Sequence, residues 1–259
     1  MAVEPGIAAP PFIRGAAHQS PSYPAPWSRY PGRLIAVEGI DGSGKSTQVR
    51  LLLQWLQARG YAAQLTTWNS APLVHGALRR AKQVHGLTPA TFSLMHAADL
   101  ADRWERDVLP RLRAGYVVLA DRWVCTALAR DTARGCTDDW VRRVYAFAPR
   151  PHLSVYFRVP VDVAVRRIVA SRPALKYYEA GLDLGLAVEP AVSFGLFQQR
   201  VSDAYEALIA PECLDVIDAR QPVTAQQTRL RALVQRALRG YRRAAAGALA
   251  AAAAAPLAR

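Results

Sequence analysis

The sequence has little cysteine, little lysine and no long hydrophobic run. Its three cysteines, Cys125, Cys136 and Cys213, lie far apart and lack the C-x-x-C spacing of zinc sites, which predicts free thiols in a reducing cytoplasm. No stretch approaches the roughly 18 apolar residues that cross a bilayer. The N-terminus also lacks a basic segment followed by an apolar one. We therefore expect neither a membrane partner nor a signal peptide.

Acidic residues are scarce as well. The chain has 33 Lys and Arg against 20 Asp and Glu, a formal net charge of +13, and only three of the basic residues are lysine. Such a surplus is typical of proteins that bind nucleic acids, anionic membranes or phosphorylated substrates. No acid follows Asp218, and the eight arginines beyond it leave only +5 for residues 1–218. Because no basic segment is interleaved with aromatic residues, we do not expect a nucleic-acid partner.

Composition divides the chain into three regions. Residues 1–31 are rich in proline, which predicts a flexible leader, and residues 244–259 are nearly all alanine, which predicts a flexible tail. In residues 32–243, short apolar runs alternate with amphipathic stretches. This alternation predicts an α/β domain with a parallel sheet of about five strands and helices on both faces. The predicted strands are 34–37, 62–67, 116–120, 153–157 and 214–218.

Helices are predicted between these strands. Thr88 and Pro89 are typical of a helix start, and the helix that follows is expected to run to about Arg113 with a kink at Pro110. Further helices are predicted from about residue 45, from about residue 161, from residue 193 and at the C-terminal end of the domain. The stretch from Arg172 to about residue 190 has no clear period.

The most specific motif follows the first predicted strand. It fits G-x-x-x-x-G-K-[ST] between a strand and a helix, the context that a phosphate-binding loop requires. Glycines let the backbone wrap closely around phosphate oxygens, and the start of the helix presents its positive end to them. Lys45 is predicted to reach the β- and γ-phosphates, and the Ser46 hydroxyl to bind magnesium. The loop consists of Gly39, Ile40, Asp41, Gly42, Ser43, Gly44, Lys45, Ser46 and Thr47.

Around this loop the sequence resembles the thymidylate kinases, a family of P-loop nucleoside monophosphate kinases. Residues 38–48 resemble the family's opening, 94–99 (L-M-H-A-A-D) its acceptor-site helix, and Asp121-Arg122-Trp123 its Asp-Arg-aromatic motif. The resemblance covers roughly residues 33–235. It implies a P-loop NTPase-type fold with a lid segment at about 172–192 and magnesium-dependent phosphoryl transfer from ATP to a nucleoside monophosphate, with dTMP the leading acceptor. It also implies small-molecule nucleotides as partners and a homodimer.

Several roles follow for individual residues. An acid after a strand lies where open α/β sheets bind ligands, so Asp121 is predicted to hold magnesium with Ser46. The fork of Arg122 matches phosphate oxygens and is expected to clamp the acceptor phosphate. The resemblance implies that Asp41 binds the sugar 3′-hydroxyl. It also implies that a lid cation, Arg172, meets the transferring group. The predicted catalytic residues are Lys45, Asp121, Arg122 and Arg172.

Two groups of residues carry alternatives. Arg166 and Arg167 belong either to the lid machinery or to a solvated basic helix face. Glu38 is either a general base, as in the related deoxynucleoside kinases, or a structural hydrogen-bond acceptor. The structural role is favoured because an acceptor phosphate oxygen is already ionised and needs no strong base.

The acceptor half departs from the family pattern. The usual Arg-Glu-Pro after the second strand is replaced by T-T-W-N-S at 66–70, and the usual Tyr-Gln after Asp-Arg by Arg130 and Asp131. The base-stacking phenylalanine corresponds to His96, and the arginine four residues later to Leu100.

We expect other side chains to compensate in the acceptor site. Trp68 and His96 offer stacking surfaces, and Arg103, which shares a helix face with position 100, can replace the missing arginine. The predicted acceptor site is Asp41, Trp68, His96, Arg103 and Arg122. Two other functions stay open at this point: a deoxynucleoside kinase that uses Glu38 as base, and an ATP-binding P-loop protein without catalysis.

Overall fold

The sheet has five parallel strands in the order β2-β3-β1-β4-β5. The computed structural model describes residues 30–171 and 174–242. The strands are β1 (Arg33–Glu38), β2 (Ala63–Thr67), β3 (Val117–Asp121), β4 (Leu153–Arg158) and β5 (Asp215–Asp218). β1 lies in the centre and pairs with β3 and β4, so its side chains are buried almost throughout. A strand buried on both faces is expected to be a continuous apolar run, as L-I-A-V is here.

Helices surround the sheet. They are α1 (Lys45–Ala58), α2 (Pro72–Val84), α3 (Pro89–Arg103), α4 (Leu109–Arg113), α5 (Val124–Ala133), α6 (Asp138–Val144), α7 (Val161–Ser171), α8 (Pro190–Leu208) and α9 (Val223–Ala237), with a 3₁₀ turn at Leu182–Leu184. α1 packs against α9, and α5 packs against α8. The predicted P-loop NTPase-type α/β fold is confirmed. None of the described helices is long and apolar enough to cross a membrane.

The long helix predicted for 88–113 is interrupted. Thr88 accepts a hydrogen bond from the Thr91 N–H at 3.2 Å, as expected of a capping residue. A π-helical turn at Trp104–Val108 then separates α3 from α4, and the Leu109 N–H bonds to the Trp104 carbonyl. The turn lies just before Pro110, which has no N–H to donate to the helix ladder. The expected irregularity is therefore present as a π turn.

Helix α8 begins three residues before the predicted start. Both carboxylate oxygens of Glu189 accept hydrogen bonds, from Ala191 N at 3.1 Å and from Val192 N at 2.6 Å. Pro190 occupies the first helical position, where its missing N–H has no cost. The first turn of α8 thus overlaps the predicted lid segment. The predicted tail, residues 1–29 of the predicted leader, and Arg172 lie outside the described residues.

Candidate active site

The phosphate-binding loop connects β1 to α1 and turns through glycines in the left-handed region. Gly42 and Gly44 both have φ of 83°. A Cβ at Gly42 would lie 2.5 Å from the Ala164 carbonyl oxygen, so a side chain does not fit there. The N–H groups of Gly44, Lys45 and Ser46 donate no hydrogen bond to any other described residue. They therefore face an anion-binding concavity at the positive end of α1.

The Lys45 side chain folds back over the loop. Its Nζ donates to the Ile40 carbonyl oxygen at 3.3 Å and lies 4.0 Å from Oδ1 of Asp41. Burial lowers the pKa of the ammonium to about 8, and the nearby Arg122 cation acts in the same direction. A phosphate oxygen beside this ammonium raises its pKa again, because the negative charge stabilises the protonated form.

Arg122 has a constrained backbone directly beside the loop. Its φ of 76° lies in the left-handed region, which is costly for a residue with a side chain. Its N–H donates to the Val37 carbonyl at 3.0 Å, and Nη1 donates to the Gly39 carbonyl at 3.0 Å. Nη2 pairs with Oδ1 of Asp41. Arg122 is therefore held at the end of β3 by contacts with β1 and the loop.

Glu38 anchors the segment that follows Arg122. The carboxylate is fully buried and accepts hydrogen bonds from the Trp123 N–H at 2.8 Å, the Thr126 hydroxyl at 2.6 Å and the Tyr205 hydroxyl at 2.9 Å. Burial raises its pKa despite these donors. Both oxygens are thus engaged in holding the start of α5 and the last turn of α8. This arrangement matches the structural role rather than that of a base.

A cleft of about 480 Å³ opens above the loop. Gly39, Ile40 and Ser43 do not line it, and His96 and Arg103 contact it only through Trp68. Arg167, Ile168 and Ser171 of α7 complete its wall. The predicted site residues that line the cleft are Asp41, Gly42, Gly44, Lys45, Ser46, Thr47, Trp68, Asp121 and Arg122.

Asp121 and Ser46 fit the predicted magnesium site. Both line the same cleft, one at the end of β3 and the other in the first turn of α1. Oδ1 of Asp121 is buried and has no hydrogen-bond partner in the described part of the chain. A buried carboxylate oxygen without a partner is costly, and it is the kind of ligand that Mg²⁺ prefers.

Trp68 and His96 form an aromatic stack at the acceptor end. Their ring centroids are 5.9 Å apart at 15°, and Phe92 lies 4.2 Å from the imidazole on α3. His96 Nδ1 bonds to the Phe92 carbonyl at 2.7 Å, and the Lys82 ammonium donates to Nε2 at 3.2 Å. Burial and the Lys82 charge hold the imidazole pKa well below its usual value. His96 is therefore a neutral ring that carries a proton on Nδ1.

Arg103 supports this stack from below. It is 2% exposed, and Nη1 donates to the Thr67 carbonyl. The guanidinium lies 5.6 Å from the Trp68 ring and 5.5 Å from the Trp123 ring, while Asp99 is 3.8 Å away. Nε and Nη2 are buried without a hydrogen-bond partner among the described residues. Arg103 lies beneath Trp68, and its predicted contact with the acceptor stays a prediction.

Lys82 is a neighbour of the stack that the sequence analysis did not place there. It lies on α2, a helix that the sequence pattern did not reveal, and reaches His96 from that side. Burial lowers its pKa to about 8, and the cations Arg130 and Arg134 add to the effect. Only its scarcity marked it, because lysine occurs three times in the chain.

Arg134 links α5 to the segment before α8. Its Nε donates to Asp183 at 3.1 Å, and its Nη2 donates to the Tyr178 carbonyl. The guanidinium lies between two rings, 4.4 Å from Phe92 and 4.3 Å from Phe197. This contact ties the 174–185 segment to the acceptor end of the site.

Arg166 and Arg167 of α7, for which two roles were considered, differ in position. Arg167 donates to the Gly42 carbonyl at 3.3 Å and to the Ala219 carbonyl at 3.0 Å, and it lines the cleft. Arg166 pairs with Asp162 on the surface with its side chain 69% exposed. Of the two, only Arg167 belongs to the site; Arg166 belongs to the solvated face.

Comparisons with known proteins agree with this geometry. The thymidylate kinase family model matches residues 37–230. A probable thymidylate kinase 2 from Saccharolobus solfataricus is 41% identical over 204 residues, which cover 78% of this chain and 95% of the relative. A probable thymidylate kinase from Pyrobaculum calidifontis is 32% identical over 212 residues, covering 81% of this chain and 100% of the relative. With this match across the loop, the sheet and the cleft, the chain belongs to the thymidylate kinase family.

Proposed function

We propose that the protein transfers the γ-phosphoryl group of ATP to dTMP, which yields dTDP and ADP. The observation that carries the proposal is the cleft in which the loop, with Lys45 and Ser46, faces Asp121, Arg122 and Trp68. One end of this cleft suits a triphosphate, and the other offers a ring surface and an arginine for a nucleoside monophosphate. Family membership identifies thymine as the base.

The loop side binds the donor. The N–H groups at the start of α1 bind the β- and γ-phosphate oxygens of ATP, and Lys45 meets the same oxygens with its ammonium. As the γ-phosphoryl group moves, negative charge spreads over its equatorial oxygens, so a fixed cation there lowers the barrier. Ser46 and Asp121 would hold Mg²⁺, which when bound neutralises charge on the β- and γ-oxygens.

The other side orients the acceptor. Arg122 holds the dTMP phosphate in line with the γ-phosphorus, Asp41 binds the sugar hydroxyl, and Trp68, with His96 stacked behind it, presents its ring to the base. An ionised phosphate oxygen of dTMP attacks the γ-phosphorus directly, the bond to the bridging oxygen of ADP breaks, and no proton needs to be removed. A lid cation at Arg172, outside the described residues, remains our prediction for the equatorial oxygens.

Two other functions fit less well. A deoxynucleoside kinase needs a base to deprotonate a sugar hydroxyl, but Glu38 is fully buried and both its oxygens accept hydrogen bonds. An ATP-binding protein without catalysis leaves unexplained why Asp121, Arg122 and the loop share one cleft. Pairing into a homodimer and a cytoplasmic location stay predictions.

A coupled ADP-release assay tests the function. With ATP and Mg²⁺, we expect kcat/KM for dTMP to exceed that for dUMP, dCMP and AMP, because the acceptor end is built around one base. Thymidine is included to separate the alternatives. Turnover of thymidine without dTMP would identify a deoxynucleoside kinase, and ATP binding without turnover of any acceptor would identify a non-catalytic protein.

The pH profile reports on Lys45. Because its pKa is lowered to about 8, with Asp41, Asp121, Arg122 and Arg130 as the charges around it, the ammonium loses its proton above that pH. We expect kcat/KM for ATP, which follows the free enzyme, to fall about tenfold per pH unit above pH 8. Lys45→Arg keeps its charge and should shift the inflection to higher pH. The same inflection in both proteins would assign it to another group.

A further inference from the structure

We propose that Arg130 on α5 binds the acceptor phosphate and that Arg130 and Arg122 form a two-arginine clamp around it. The inference rests on the proposed function, which sets the position of the acceptor. In the structure the two guanidinium groups pair with the two oxygens of one carboxylate. Arg122 Nη2 pairs with Oδ1 of Asp41, and Arg130 Nη2 lies 3.3 Å from Oδ2.

The position of Arg130 matches that of a sugar phosphate. Its guanidinium contacts Asp41 of the loop, and its helix, α5, packs against α3, which carries His96 of the stack. The guanidinium therefore lies between the donor loop and the aromatic stack. A nucleotide whose base lies on the stack and whose phosphate points toward the loop therefore extends alongside the Arg130 guanidinium.

The charge balance around Asp41 also favours an anion. Arg122, Arg130 and Lys45 all approach this one carboxylate. When a donor phosphate engages Lys45, the two guanidinium groups still share the Asp41 carboxylate. A phosphate monoester dianion carries nearly two negative charges and has oxygens that match both guanidinium groups. It therefore pairs with Arg122 and Arg130 better than one carboxylate does.

Arg130 is positioned for this task by its surroundings. It lies on α5, which begins two residues after Arg122, its side chain is 18% exposed, and its guanidinium lies 5.8 Å from the Phe197 ring. The segment after β2, residues 66–70, carries no cationic side chain that could serve instead. α5 therefore supplies the second arginine that this acceptor site uses.

The test is Arg130→Gln, measured against dTMP and against thymidine, which lacks the phosphate. Loss of a charge-assisted contact corresponds to about 10- to 100-fold, so we expect KM for dTMP to rise by that factor while KM for ATP stays within about twofold. The inhibition constant of thymidine should not change. Arg130→Lys should recover part of the loss, because a point charge cannot reproduce the fork.

Arg143→Gln is the matched control. Arg143 pairs with Asp139 on the exposed face of α6, so its removal lowers the net charge equally without touching the cleft. Unchanged KM for dTMP in Arg130→Gln overturns the clamp, and so does an equal loss for thymidine, which would place Arg130 at the sugar or base. Should Arg130→Gln not fold, an unchanged KM in Arg130→Lys overturns it.

Failure of the function itself gives a different result. A wild-type protein that does not phosphorylate dTMP contradicts the proposed function. In that case the comparison is made with the monophosphate that the panel identifies and its parent nucleoside. A loss confined to the phosphorylated form then supports the clamp independently of the base.

Discussion

Lys45→Ala is expected to lower kcat by on the order of 10²-fold or more, with a much smaller change in KM for ATP. Lys45 Nζ lies over the loop, 3.3 Å from the Ile40 carbonyl oxygen. In the proposed reaction its fixed charge acts most strongly when negative charge spreads over the transferring group. Backbone N–H groups and the start of α1 still bind ATP in the variant. An interaction that strengthens in the transition state changes kcat more than binding.

Arg50→Ala serves as the control for this measurement. Arg50 lies on the exposed face of the same helix, α1, and its removal also deletes one positive charge. We expect Arg50→Ala to retain wild-type kcat and Lys45→Ala to retain the wild-type melting temperature. Near-wild-type turnover in Lys45→Ala would contradict the assignment of the loop as the donor site.

Glu38→Ala is expected to reduce the free energy of unfolding by about 3 kcal/mol. The substitution leaves the buried N–H of Trp123 without an acceptor and opens a void in the core. The hydroxyls of Thr126 and Tyr205 lose less, because they lie 2.8 Å apart and can bond to each other. Loss of this anchor also releases the constrained backbone of Arg122, so kcat/KM for dTMP should fall with stability.

The Glu38→Gln variant distinguishes a structural hydrogen-bond acceptor at position 38 from a general base. The amide oxygen can still accept from Trp123, and the amide N–H can donate to the hydroxyl of Thr126 or Tyr205. We therefore expect this variant to unfold close to the wild-type denaturant midpoint and to keep most of its activity. A stable Glu38→Gln protein with kcat reduced 100-fold would instead show that Glu38 moves a proton.

Much of the donor half could be predicted because its signals are local. The loop is read from nine consecutive residues, and the strand before it and the helix after it are marked by short periodic runs. The apolar run of β1 and the capping pair Thr88-Pro89 were likewise predicted from a few neighbouring residues. Such patterns depend on backbone sterics and periodicity, which need no knowledge of distant partners.

The acceptor half depended on elements that the pattern did not reveal. Neither α2 nor α5 has a capping side chain at its start, so Lys82 was not placed at the site and Arg130 was named only as a departure from the family pattern. Arg103 was expected at the cleft from its helix face alone. Its actual position beneath Trp68 follows from its hydrogen bond to the Thr67 carbonyl at the end of β2, a contact that periodicity does not encode.

The sequence by itself determined the fold class, the phosphate-binding loop and the family, because each is carried by contiguous residues. Only the tertiary structure decided the role of Glu38, whose partners lie 85 to 167 positions away. It also decided that Arg122 and Arg130 meet at Asp41, about 80 residues earlier in the chain. The physical reason is the strand order β2-β3-β1-β4-β5: β1 lies next to β3, so the loop and the start of α5 share one edge of the sheet.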